Sequence, residues 1–144
     1  MPTVIREALV RHARRQMFDL VDDVPSYPAF LPWCDAATVL SRRDGVTNAS
    51  LSLSRAGVQS TFTTRNTATE DRRIDIELQD GPFEYLRGRW TFEDQTPGTR
   101  VRLELRYQFS NPLMGFVLSS VVEDIAGDLV NAFRDRADAV YARG

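Results

Sequence analysis

Lysine is absent from these 144 residues: all 18 basic side chains are arginine, set against 20 carboxylates for a net charge of −2. That balance argues against a general polyanion binder and against DNA as a partner. An all-arginine complement has a mundane source in GC-rich coding and a functional one in planar guanidinium contacts with phosphate or carboxylate. One cysteine rules out an internal disulfide, and one histidine argues against a zinc site, so no metal is expected. No run approaches the roughly 20 apolar residues of a membrane span. The start, Met1-Pro2-Thr3-Val4-Ile5-Arg6-Glu7, lacks the charged-then-apolar pattern of a secretory signal. These absences predict a cytoplasmic protein, in transient peripheral contact with a membrane surface at most. Length and a hydrophobic content of 42% fit one domain over 1–144.

What is present is concentrated in one place. Tyr27-Pro28-Ala29-Phe30-Leu31-Pro32-Trp33-Cys34 carries two prolines, three aromatic rings and no charge. The prolines break it as a helix or a strand. Its rings are too costly to leave in water. It is therefore expected to be a bent connector whose side chains plug into the body of the protein and close one end of a cavity.

Around it the apolar period changes twice. Thr3 to Val10 reads as a strand, Arg14 to Val21 as a short helix with Met17, Phe18, Leu20 and Val21 on one face, and Val24 to Leu31 as a Pro-interrupted second turn of helix. From about Thr38 the period is two. Leu51 and Leu53 alternate with serines, Phe62, Thr64 and Asn66 with Thr61, Thr63 and Arg65, and Ile74, Ile76 and Leu78 with polar residues. Val101, Leu103, Leu105, Tyr107 and Phe109 against Arg100, Arg102, Glu104, Arg106 and Gln108 is the clearest strand with one buried and one wet face. Asp44-Gly45, Asp80-Gly81-Pro82 and Pro97-Gly98 mark turns between antiparallel neighbours. After Asn111-Pro112 the period returns to 3.6, and Leu118, Val121, Val122, Ile125, Leu129, Ala132, Phe133, Ala137, Val140 and Tyr141 form one stripe. A helix of nearly 30 residues spans about 40 Å and buries such a stripe only by lying across the sheet. The predicted class is α+β: a curved antiparallel sheet of six to seven strands wrapped around a long C-terminal helix, with two short helices after the first strand. A curved sheet gripping a helix leaves an apolar cavity between them.

Catalytic signals are weak. His12 has no serine or cysteine partner at a motif spacing and reads as a solvated strand-end residue. Cys34 reads as a small buried hydrophobe. Asp22-Asp23 and Glu123-Asp124 are adjacent only in sequence, and adjacent helix positions point apart. Nucleophile elbows and phosphate-cradling glycine loops are missing. The chain is expected not to be an enzyme and to require no cofactor. The arginines invite more. If the turn at Gln95–Pro97 sets Trp90 opposite Leu103, then Arg89 faces Glu104, and similar counting sets Arg87 against Asp75. Arg73, Arg87, Arg89, Arg100, Arg102 and Arg106 then share one face, which is either an ordinary solvated surface or an RNA contact, with Arg87, Arg89, Arg102 and Arg106 as the contact candidates.

Taken together, Phe18-Asp19-Leu20-Val21-x-Asp23-Val24-x-x-Tyr27-Pro28-x-Phe30-Leu31-Pro32-Trp33-Cys34 resembles the N-terminal signature of the coenzyme Q-binding, ribosome-association-toxin branch of the START/polyketide-cyclase superfamily. The likeness continues through Phe62-Thr63-Thr64-Arg65-Asn66, through Asp80-Gly81-Pro82-Phe83-x-x-Leu86-x-Gly88-x-Trp90-x-Phe92, and through Ile125-Ala126 and Phe133-x-x-Arg136-Ala137-x-x-Val140-Tyr141. The resemblance implies a helix-grip fold whose hydrophobic tunnel takes a polyprenylated, ubiquinone-like lipid, in support of respiratory quinone function. It also implies two rivals: binding to the large ribosomal subunit to block subunit association, and a polyketide aromatase/cyclase. For the first reading the expected lining is Leu53, Phe62, Ile76, Trp90, Leu103, Leu105, Tyr107 and Phe109 from the sheet, with Leu118, Val121, Val122, Ile125 and Leu129 from the helix. Phe30 and Trp33 are expected to guard one mouth, and Tyr107 and Asn66 to hydrogen-bond a quinone oxygen.

Overall fold

The computed structural model describes residues 2–55 and 57–141. The first strand, β1 (Thr3–Val10), leads into helix α1 (Arg14–Asp22) and a 3-10 segment, Val24–Ala29. Six strands follow: β2 (Cys34–Arg43), β3 (Val46–Arg55), β4 (Val58–Thr69), β5 (Arg73–Asp80), β6 (Phe83–Gln95) and β7 (Gly98–Phe109). The chain then enters the 29-residue helix α2 (Pro112–Val140). The spatial order is β1-β7-β6-β5-β4-β3-β2, with every adjacent pair antiparallel. The first two strands in the chain therefore form opposite edges, joined by α1, the 3-10 segment and the connector.

Local chemistry sets the boundaries. Gln16 reaches back so that its Oε1 accepts from the Ala13 N–H at 2.9 Å, closing the start of α1. Pro25 and Pro28 leave too few amide donors for an α-helix, and the chain takes a 3-10 path. Asn111 caps α2, its Oδ1 accepting from the Leu113 N–H at 2.9 Å, and Pro112 fits the first turn, where its missing donor costs nothing. Gly98 begins β7 against the end of β1; a Cβ there would lie 1.8 Å from the Val10 carbonyl oxygen. No other residue fits.

The registers confirm Trp90 opposite Leu103 and Arg89 opposite Glu104. They correct the position of Arg87, which faces Glu77, while Asp75 lies opposite Arg89. Strand β2 begins at Cys34, four residues before the alternation becomes regular, because register shifts between Cys34 and Ala36 and between Val39 and Ser41 break its period.

The core sits between α2 and the β1–β7–β6 side of the sheet. Phe133, with no exposed surface, is its centre: its ring lies edge-on to Tyr27, Phe30 and Trp90, with centroids 5.2–5.4 Å away. The connector does plug into the body, with Tyr27, Leu31, Trp33 and Cys34 buried and Phe30 half-buried. The Tyr27 hydroxyl donates to the Val21 carbonyl, tying the 3-10 segment to the end of α1. Burial, helped by Asp22, pushes its phenol far above the ordinary tyrosine range.

Candidate binding surfaces

The inner surface divides into a packed half and an open half. The residues of α2 that are buried are Ala126, Val130, Phe133 and Ala137, spaced by four, three and four. Two of them, Ala126 and Val130, are absent from the stripe read in the sequence. Small Ala126 and Ala137 let the helix sit close over its neighbours, and it lies against β1 and β7. Beneath it, Trp90, Leu103 and Tyr107 leave only 1–2% of their surface open, and Leu105 and Phe109 are also buried. Side chains that water can scarcely touch from any direction do not line a chamber, so these five belong to the packed core rather than to a cavity wall.

The other expected residues fall on the open half. Leu118, Val122, Ile125 and Leu129 are half-buried and pack at the core margin, and Val121 is half-buried one step further round the helix. At about 100° per residue, Leu118, Val121 and Ile125 form the flank of α2 that turns away from the buried line. On the sheet, Leu53, Phe62 and Ile76 are half-buried. Together these side chains make two apolar walls, one on the helix flank and one on β3–β5. At the start of the same helix Leu113, Phe116 and Val117 are exposed, Phe116 by 89%.

At the far end of the open half, Arg55 on β3 forms an ion pair with Asp128 on α2. Around it Trp33, Pro32, Ser54, Asn131, Ala132 and Asp135 complete a depression of about 460 Å³. Trp33 thus lines this depression, although its ring is largely buried. Phe30 instead packs on Phe133 beneath the Arg136 guanidinium, 5.1 Å from its ring centre. The latch between Arg55 and Asp128 has no signal in the sequence, since its partners lie 73 positions apart.

The two polar candidates do not meet. Asn66, on β4 between Thr47 and Ile76, has a buried Oδ1 without a hydrogen-bond partner among the described residues. Tyr107 lies three strands away on β7, about 14 Å at roughly 4.8 Å per strand. Burial and then Glu123 push its phenol up. They cannot hold one ligand oxygen between them.

His12 corrects another expectation. Its ring is not solvated: the side chain is 9% exposed and its Nε2 lies 2.7 Å from Asp138 Oδ1, clamping the end of α2 to the β1–α1 turn. Cys34 is buried as expected, and burial pushes its thiol up. Among the described residues no three His, Cys, Asp or Glu side chains group to hold a metal, and no helix is long and apolar enough to cross a membrane.

The outer face of the sheet carries the arginines. Strand alternation places Arg65, Arg73, Arg87, Arg89, Arg100, Arg102 and Arg106 there, on rows shared with Glu7, Asp75, Glu77, Glu93 and Glu104. Four of the seven are engaged. Arg73 and Arg89 share Asp75 at 2.9 and 2.6 Å. Arg102 lies 3.6 Å from Glu7 and 3.8 Å from Glu104, and Arg106 lies 3.6 Å from Glu104. Of the expected RNA contacts, Arg89 and Arg102 are therefore the most neutralised. Arg65, which has no place among those candidates, lies on the same face.

Comparison with known proteins defines the class. The family model described as polyketide cyclase / dehydrase and lipid transport matches residues 10–134. The chain belongs to that family. Among curated relatives it is 39% identical over 143 residues to the ribosome association toxin RatA of Escherichia coli K12, covering 99% of this chain and 90% of RatA. It is 28% identical over 136 residues to the mitochondrial coenzyme Q-binding protein COQ10 homolog B of Xenopus laevis, covering 89% of this chain and 54% of that protein. Solved structures with the same fold include a START superfamily protein from Mycobacterium smegmatis, with a TM-score of 0.84 at 19% identity over 96% of this chain and 98% of that one. A second is the Zhui aromatase/cyclase from a Streptomyces species, with a TM-score of 0.81 at 19% identity over 95% and 93%. At these identities the structural likeness establishes the START-like helix-grip fold and nothing about activity.

Proposed function

We propose that this protein associates with the ribosome, at the large subunit, and limits the joining of subunits. The observation that carries the reading is the 39% identity to RatA along nearly the full length of both chains. It is supported by an outer sheet face where guanidinium groups, suited to phosphate by their planar forks, outnumber the carboxylates on their rows. This reverses the order in which the sequence ranked the readings, where lipid binding came first. The test is to spin the purified protein through a sucrose cushion with isolated large or small subunits. Pelleting with the large subunit and not the small one supports the proposal; pelleting with neither removes it.

A second reading rests on the open half of the inner surface. The apolar walls formed by Leu118, Val121 and Ile125 and by Leu53, Phe62 and Ile76 suit an extended isoprenoid or acyl chain, each buried carbon contributing about 0.8 kcal/mol before ordering costs. The likeness to a coenzyme Q-binding protein favours a polyprenyl quinone as occupant. Mass spectrometry of a lipid extract tests it: a prenyl lipid near one per chain supports the reading, and an extract with none, together with unchanged tryptophan emission on quinone addition, removes it. The two readings use opposite faces of the sheet and are compatible. The likeness to an aromatase/cyclase extends to the fold alone and carries no reaction.

A further inference from the structure

The outer-face arginines are not equivalent, and their register picks out three. Arg65 on β4, Glu77 on β5, Arg87 on β6 and Arg106 on β7 form one continuous row across four strands. Within it Arg87 and Arg106 are directly opposed, a like-charge cross-strand pair that costs stability by placing their Cβ atoms about 5 Å apart. Arg65 and Arg87 make no ion pair among the described residues, and Arg106 has only a share of Glu104 at 3.6 Å. The neighbouring row, Thr67, Asp75, Arg89 and Glu104, is closed on itself by the 2.6 Å contact of Arg89 with Asp75. The two rows floor an open depression of about 630 Å³ whose charged rim is Arg65, Arg87, Arg89 and Arg106 against Asp75, Glu77 and Glu104. With Asp75 consumed by Arg73 and Arg89, and Glu104 divided between Arg102 and Arg106, the row's three guanidinium groups face one carboxylate of their own, Glu77, and keep a net positive charge.

We infer that Arg65, Arg87 and Arg106 form a phosphate-binding row that takes the phosphodiester backbone of RNA. The row spans three strand gaps, about 14 Å, enough for roughly four stacked nucleotides at ~3.4 Å each. All three side chains are exposed and the depression is open, which suits an extended polyanion rather than one enclosed phosphate. Bidentate guanidinium–phosphate contacts would relieve the Arg87–Arg106 repulsion that the free protein sustains. The choice of RNA rests on the ribosome reading; the row itself rests on register and pairing.

The experiment uses the whole protein and two probes: a fluorescein-labelled 12-nucleotide uridine oligomer followed by anisotropy, and large subunits followed by pelleting. The Arg65→Gln/Arg87→Gln/Arg106→Gln variant should bind the oligomer about tenfold or more weakly. Its salt slope should fall by about 2, at ~0.7 for each single-strand phosphate that is no longer neutralised. Arg89→Gln/Arg102→Gln should weaken binding much less. Arg87→Gln alone should unfold in urea close to the parent's midpoint, since it removes the repulsion from Arg106 together with the attraction of Glu77 opposite, and no ion pair, which separates a binding role from a structural one. Equal oligomer binding by the triple variant and the parent overturns the row. If the parent pellets with large subunits and the triple variant does so equally well, the row is again overturned while ribosome association stands. If the parent pellets with no subunit but binds the oligomer through the row, ribosome association falls and the row stands. Binding of phosphatidylglycerol vesicles through the row, as tight as the oligomer, overturns RNA as the occupant.

Discussion

Phe133→Ala is the sharpest test of how the helix is held. Its ring is fully buried and meets three other rings edge-on, Tyr27 in the 3-10 segment, Phe30 in the connector and Trp90 on β6. Truncation removes the transfer free energy of a buried aromatic and leaves a cavity, together about 3–5 kcal/mol for Phe→Ala. Three partners on three elements make collapse difficult, so the upper half of that range is expected. For a domain of this size each kcal/mol moves the thermal midpoint by roughly 2–4 °C, giving a fall of about 8–20 °C. Urea titration followed through the fluorescence of Trp90, whose ring centre lies 5.3 Å from that of Phe133, measures it directly. The midpoint should fall with the slope unchanged. A loss below about 1.5 kcal/mol would refute the reasoning, because it would mean that the ring borders a void and that the packed half of the interior is not packed.

The remaining expectations follow from other parts of the molecule. Ile125→Trp, on the half-buried flank of α2, should leave stability within about 1 kcal/mol and reduce lipid uptake, whereas Val130→Trp in the buried line should overpack by roughly 1–3 kcal/mol; paired urea titrations and lipid extracts decide between them. His12→Ala should cost about 0.5–1.5 kcal/mol and raise amide exchange in the last turns of α2, since the 2.7 Å contact with Asp138 is what clamps them. Tyr27 has its phenol pushed up by burial, so the folded chain keeps that proton where the unfolded chain loses it. The resulting stability is complete below pH about 10 and is lost as pH rises above it, at about 1.4 kcal/mol per pH unit. Tyr27→Phe should therefore be destabilised at pH 8 by the missing hydrogen bond to Val21 and approach or overtake the parent near pH 11, as read from urea midpoints across pH.

The sheet and the long helix were legible because their signals are periodic and repeated. Val101 to Phe109 alternates without a break, so its face and its pairing with Trp90 follow from counting alone. Where a bulge adds a residue the count fails, as at Cys34–Ala36 and Val39–Ser41, and β2 is then seen late. The misplacement of Arg87 by one pair has a related origin: the β5–β6 ladder stops at the Glu77–Arg87 pair, so the short Asp80-Gly81-Pro82 turn does not set the register by counting. Which half of the interior is packed was not legible. It depends on where α2 rests across the sheet: small Ala126 and Ala137 permit the close approach, and the sequence stripe held Ala137 but neither Ala126 nor Val130, so it did not mark the buried line. His12 and the Arg55–Asp128 latch were invisible for a simpler reason: each partner comes from a distant part of the chain. The arginine face was legible as a face, but its division into paired and unpaired members needs distances.

The most direct test of ribosome association is the formation of whole ribosomes from separated subunits, followed by light scattering, with this protein added first to the large subunit. The expected result is a dose-dependent fall in the scattering amplitude that saturates near one protein per large subunit. It should disappear when Arg65, Arg87 and Arg106 are replaced by glutamine. Undiminished subunit joining at a large molar excess of protein would contradict the account.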